Sequence, residues 1–125
     1  MNLDHLLSKP PKPPEAVLYS YIDGSGNSYY ITKNLIQYDP MMQKYSSSGF
    51  YDGGKAAKVA LSSEQFETIA IIIQQVRKND SDHILNRVKG SGQVHLHNEN
   101  EHFILGYNTT SKKDLEVLFK KMITP

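Results

Sequence analysis

A chain of 125 residues, 38% hydrophobic and 22% charged, has the composition of a soluble globular protein and enough length for one core. Its 14 lysines and arginines against 13 aspartates and glutamates leave a net charge of +1, too little to gather nucleic acid or anionic lipid by a whole-molecule field. The absence of cysteine excludes disulfides, thiol nucleophiles, thiolate metal sites and iron–sulfur ligation.

Residues 9–14, KPPKPP, carry four of the six prolines. Proline fixes φ and removes amide donors, so residues 1–15 are expected to form an extended arm outside a single α+β domain spanning 16–125. The segment lacks the apolar stretch of a secretory leader, and no run reaches the length of a membrane span. The cysteine-free composition leans towards a cytoplasmic, reducing compartment, while an exported protein without its signal peptide stays open.

Residues 17–22 (VLYSYI) and 28–32 (SYYIT) are β-branched and aromatic, and the Asp23-Gly24-Ser25-Gly26-Asn27 stretch between them consists of turn residues. The pattern predicts a hairpin with Ile22 opposite Ser28 and Tyr19 opposite Ile31. Tyr19, Tyr21, Tyr29 and Ile31 then share one face. A third strand is predicted over 35–38, followed by a long glycine-, serine- and aromatic-rich loop over 43–54.

Leu61-Ser62-Ser63-Glu64-Gln65-Phe66 contains a capping box (Ser62 with Gln65) and a hydrophobic staple. With Phe66, Ile69, Ala70, Ile73 and Val76 at helical spacing, it predicts a helix over 63–78. Ile71 and Ile72 widen the apolar face, as though the helix were covered on more than one side. Residues 80–88 predict a short second helix with Ile84, Leu85 and Val88 inward. Residues 93–97 and 102–106 form a second predicted hairpin, and Thr110 or Ser111 caps a terminal helix with Leu115, Leu118, Phe119, Met122 and Ile123 along its stripe. The order β-β-β-α-(α)-β-β-α implies an antiparallel sheet built from two hairpins, with helices packed on one face.

Candidate chemistry is sparse. As a calcium loop, 21–32 has Tyr21 at the first ligand position and Thr32 where a bidentate glutamate is needed, so a hairpin tip is the better reading. The second hairpin places His95, His97 and His102 on one face, with His97 opposite His102, opposite a core face of Val94, Leu96, Phe103 and Leu105. These histidines are the only metal candidates. With Arg87 and Lys89 they also form a candidate set for the alternative reading, a histidine-dependent hydrolase or nuclease at the 93–106 hairpin. Lys89-Gly90-Ser91-Gly92 lacks the spacing of a phosphate loop. No catalytic residue, metal or cofactor is assigned.

Seven of the eight tyrosines fall between Tyr19 and Tyr51, among the glycines and serines. Tyrosine gives large contact area with few torsions to freeze, and serine and glycine give adaptable hydrogen bonding, a mixture typical of recognition surfaces. The leading expectation is a non-enzymatic module that binds a protein or peptide, with neither membrane nor nucleic acid as partner. Its contact residues are expected to be Tyr19, Tyr21, Tyr29, Tyr45, Phe50 and Tyr51. Oligomeric state is not readable.

Overall fold

The structure, a computed structural model, describes residues 16–42, 49 and 52–124. The proline-rich arm over 1–15 lies outside the described residues. The strands are β1 (Tyr19–Ile22), β2 (Ser28–Ile31), β3 (Leu35–Asp39), β4 (Ala57–Ala60), β5 (His83–Ile84), β6 (Gly92–Leu96) and β7 (Glu101–Leu105). Among the described residues the helices are α1 (Ser63–Lys78) and α2 (Thr110–Ile123), with one 3-10 turn at Asp80–Asp82. The described strands form one seven-stranded antiparallel sheet in the order β4-β3-β2-β1-β6-β7-β5. Among the described residues both helices lie on the same face, so the fold is α+β. No described helix is long and apolar enough to cross a membrane.

The first hairpin has the expected register, Tyr19 opposite Ile31 and Ile22 opposite Ser28. Period-two alternation therefore sends Tyr21, Tyr29 and Ile31 to one face, and the pairing of β3 adds Ile36 and Tyr38. Those residues, with Val94, Leu96 and Leu105 of β6 and β7, are at most 7% exposed. Over them lie Ile69, Ile73 and Val76 of α1 and Leu115 and Phe119 of α2. Phe119 sits between Tyr21 and Tyr29, with ring centroids 5.7 and 5.2 Å away, and Tyr29 stands 4.8 Å from Tyr38. Phe66 of α1 stacks on Tyr19 at 6.2 Å.

Helix α1 begins at the expected capping box. The Gln65 amide donates to Ser62 Oγ at 3.1 Å, and the Ser62 amide donates to Gln65 Oε1 at 2.8 Å. Its C-terminal turn is fastened to the sheet by Arg77, whose Nε and Nη2 donate to the two carboxylate oxygens of Glu101 at 2.6 and 2.5 Å. Among the described residues only one side of the helix is covered: Ile72 packs on the core, whereas Ile71 is 52% exposed.

Four local expectations are corrected. Strand β4 was not anticipated, because Ala57-Lys58-Val59-Ala60 has weak strand propensity and owes its form to pairing with β3. The predicted helix over 80–88 is instead the 3-10 turn followed by β5. His83 pairs with Leu105 of β7, stacks on Phe103 at 4.4 Å and bonds the Val76 carbonyl through Nε2 at 2.9 Å. These contacts outweigh a helical pattern of only two turns. Ile84 is half-buried, but Leu85 and Val88 point outward. The cap of α2 is Thr109, one residue earlier than expected, accepting from the Lys112 amide at 3.3 Å. Finally, β6 and β7 pair His95 with His102, so the register is two residues away from that predicted. A shift of two preserves the faces.

At the end of the sheet where β1 meets β2, loops touch backbone to backbone. A Cβ added at Gly24 would lie 2.6 Å from the Gly90 Cα and 2.8 Å from its carbonyl carbon. Neither atom can swing away as a side-chain tip could. Gly24→Ala is therefore expected to destabilise the fold by about 1–3 kcal/mol. Ser25→Ala, exposed one residue further on, should stay within about 0.5 kcal/mol of the parent. Urea unfolding of the two variants is the measurement.

Candidate binding cleft

Asp23 organises the tip of the first hairpin. Its Oδ1 accepts from the Ser25 and Asn27 amides, both at 2.9 Å, and its Oδ2 accepts from Asn27 Nδ2 at 2.8 Å. Asn27, 4% exposed, passes the constraint on through Oδ1, which accepts from the Met41 amide at 2.8 Å. The Met41 carbonyl in turn accepts from the Gly53 amide at 2.8 Å, and the Gly53 carbonyl accepts from Tyr38 Oη at 2.6 Å. Gly26 alone in this tip takes positive φ, +89°. Asp23 is thus committed to N–H groups within its own turn. Among the described residues, no group of three or more histidine, aspartate or glutamate side chains could hold a metal ion.

Beside this tip the structure forms an open cleft of about 500 Å3. Asp23, Gly24 and Asn27 make one wall, Asp52 and Gly53 the second, and Lys89 and Gly90 the third. The fourth is the face of α2 that carries Lys112, Glu116 and Lys120 at four-residue spacing. Tyr29 and Tyr38 line the floor. Glu116 Oε2 accepts from Tyr21 Oη at 2.5 Å and from Lys112 Nζ at 2.8 Å. Burial foremost, then the bond to Glu116, pushes the Tyr21 hydroxyl far above its ordinary range. The ammonium groups of Lys89 and Lys120 have no hydrogen-bond or ion-pair partner among the described residues.

The same end of the sheet presents apolar groups to solvent. Leu85 is 96% exposed, Val88 53% and Tyr107 67%. Leu85 and Val88 belong to the loop that carries Lys89 and Gly90, and Tyr107 Cβ would lie 3.1 Å from a Cβ added at Gly90. Of these, Val88 and Tyr107 adjoin Lys89 and Gly90 of the cleft wall. The 88–91 turn is held by Ser91, whose Oγ donates to the Val88 carbonyl at 2.6 Å.

The expected contact residues are distributed differently. Tyr21 and Tyr29 are 1% and 2% exposed beneath the helices, and Tyr19 is half-buried against Phe66. Their rings belong to the core, because period-two pairing puts them on the face that α1 and α2 cover. Of the three, only Tyr29 lines the cleft. Tyr45, Phe50 and Tyr51 lie outside the described residues. Sequence reading missed Lys112, Glu116 and Lys120, whose spacing beside the Leu115–Phe119 stripe was the available signal.

The three histidines do gather on the sheet face away from the helices. The His95 and His97 rings stack at 4.1 Å with 17° between planes, and His102 lies 6.0 Å from His95. Near-parallel rings keep their in-plane lone pairs side by side, which is the wrong arrangement for converging on one ion. Ser20 Oγ shares a hydrogen bond with His97 Nε2 at 3.0 Å. Arg87 makes no hydrogen bond or ion pair among the described residues, and its loop enters β6 at Gly92, the end away from His97. The hydrolase constellation is not assembled there.

Comparison with known protein families, curated proteins and solved structures finds no match for this chain.

Two pH dependences follow from these surroundings. The Tyr21 pKa is raised in the fold, so its contribution is full below the unfolded tyrosine value of about 10 and is lost as pH rises beyond it. Above that value wild-type stability should fall more steeply than that of Tyr21→Phe, by about 1.4 kcal/mol per pH unit, in urea titrations on the alkaline side. Burial and then His95 hold His97 below its ordinary pKa. Its contribution is therefore present above about pH 6.5 and lost as pH falls through the folded value. His97→Gln should flatten the melting-temperature profile in that acidic window.

Proposed function

We propose that this protein is a non-enzymatic binding module for a protein or peptide, with the cleft beside the first hairpin tip and its apolar border as the contact surface. The observation that carries the reading is the convergence of the 23–27, 52–53 and 89–90 segments with one face of α2, next to exposed Val88 and Tyr107, which adjoin Lys89 and Gly90. Side chains of this size are ordinarily withdrawn from water, and clustered exposure beside a shaped polar cleft is the usual signature of a contact surface. The tyrosine-rich sheet contributes as the scaffold beneath, with hydroxyls and ring edges at the floor. Asp52 and Gly53, described residues of the 43–54 segment, line the same cleft.

The reading is tested by affinity enrichment from the source organism with immobilised wild type and a Leu85→Asp/Tyr107→Asp variant. Both positions are exposed, so the variant should keep the wild-type melting temperature while retaining at least about tenfold less of the enriched partner. Equal retention by both proteins would remove this surface from consideration.

A further inference from the structure

Strand β4 closes one end of the sheet, and its outer backbone is unused. The Leu61 amide donates to the Asn34 carbonyl at 2.9 Å, so the Leu61 backbone points towards β3. Antiparallel alternation turns Val59 and Ala57 the same way, opposite Ile36 and Tyr38, and turns Lys58 and Ala60 towards the free edge. Neither has a backbone partner on that side among the described residues. The other edge, β5, ends after two residues, whereas β4 has four and contains no proline. Beside the β4 edge lies a pocket of about 140 Å3 lined by Gln37, Asp39, Ala56, Ala57 and Lys58. Gln37, Asp39 and Lys58 alternate with Ile36, Tyr38 and Val59, so they share the sheet face away from the helices. Within that lining Gln37 Nε2 donates to both Asp39 carboxylate oxygens, at 3.0 and 3.2 Å.

The geometry points to a second contact surface beyond the cleft: β4 docks an extended peptide segment of a partner protein, paired antiparallel through the backbone of Lys58 and Ala60, with one aliphatic side chain in the pocket. A residue placed opposite Lys58 in such a pair exchanges hydrogen bonds with it and shares its face, which is the face of the pocket. A dry cavity of about 150 Å3 takes a benzene molecule, so about 140 Å3 has room for one leucine-sized side chain. Main-chain bonds then supply affinity, and the pocket supplies the choice of sequence. A second copy of this chain fits the edge less well. Pairing two β4 strands about a two-fold axis brings either Lys58 itself or an alanine, Ala56 or Ala60, opposite Lys58. The first sets like charges directly across from each other, and the second leaves the pocket unfilled.

The test is a titration of the whole chain with a blocked heptapeptide of alternating threonine and leucine, followed by amide hydrogen exchange. Pairing should slow exchange saturably at the Lys58 and Ala60 amides. The Ala57 and Val59 amides, already directed at β3, should not change. N-methylation of the leucines removes the donors that reach β4 and should abolish the protection. N-methylation of the threonines, whose N–H groups point the other way, should leave it in place. Replacing the leucines by alanine should weaken binding at least about tenfold, through loss of the side chain in the pocket. Lys58→Pro removes an outward N–H and no bond of the β3 ladder, so the variant should keep the wild-type melting temperature and lose the peptide. Binding by the N-methylleucine peptide or by folded Lys58→Pro, equal binding of the alanine peptide, protection confined to other amides, or none at millimolar peptide would overturn the proposal. So would protection of the same amides that grows with protein concentration in the absence of peptide, which would give the edge to a second copy. Were Lys58→Pro to unfold, the two N-methylated peptides would still decide the question on the wild-type protein.

Discussion

The packing of Phe119 between Tyr21 and Tyr29 is the contact on which the rest of the molecule depends. It joins α2 to the two central strands of the first hairpin, and through Tyr29 it extends to Tyr38 of β3. Burying a ring of this size contributes about 1.5–3 kcal/mol, and each well-placed aromatic pair adds about 0.5–1.5 kcal/mol. Phenylalanine rings would satisfy the area requirement alone. Tyrosine is needed because the far edge of this core faces a polar cleft, where Tyr21 reaches Glu116 and Tyr38 reaches the Gly53 carbonyl. A hydroxyl without a partner at such depth would carry its desolvation cost uncompensated. The core and the cleft are therefore two ends of the same side chains.

That arrangement demands close approach of backbones. Gly92 is a glycine because the Tyr21 ring lies across it, and a Cβ there would stand 2.3 Å from the Tyr21 hydroxyl oxygen. Gly24 against Gly90 and Gly53 against Asn27 continue the pattern outward into the loops. The loops at this end are thereby held by main-chain contact and hydrogen bonds, with long side chains such as Lys89 and Lys120 left over for solvent. A binding surface whose frame is fixed in this way loses little conformational entropy when it is occupied.

How much of this was readable in the sequence depended on how local the cause was. The first hairpin was legible to the register, because a five-residue turn rich in glycine with one aspartate admits few alternatives. Helix α1 was legible to both ends, because the capping box is written in consecutive residues. The second hairpin was legible only by face: Asn98-Glu99-Asn100-Glu101 contains no glycine to fix the turn, and Asn100 itself takes the left-handed conformation at φ +51°. The 80–88 segment is misread, and strand β4 goes unread, because tertiary partners decide them. Alanine becomes a strand residue beside β3, and His83 and Ile84 leave a helical pattern to complete the edge of β7.

The cleft was not legible, although several of its residues attracted notice. Tyrosine crowding in the first half of the chain drew attention to a surface, and the period-two rule that aligned Tyr19, Tyr21 and Tyr29 also required one face to be dry. Which face would be dry depended on where α1 and α2 settled, and helical stripes more than 30 residues downstream carry that information. Once the helices cover the tyrosines, what remains around the cleft is what the core cannot use: the hydroxyl edge, the turn backbone and the lysines of α2. Leu85 and Val88 complete the set for the same reason. Pairing of His83 and Ile84 with β7 uses up the strand edge, and the next residues are turned outward with nothing of the described chain to cover them. A single constraint, antiparallel pairing that fixes which side chains face inward, thus produces both the tyrosine core and the exposed apolar border beside the cleft.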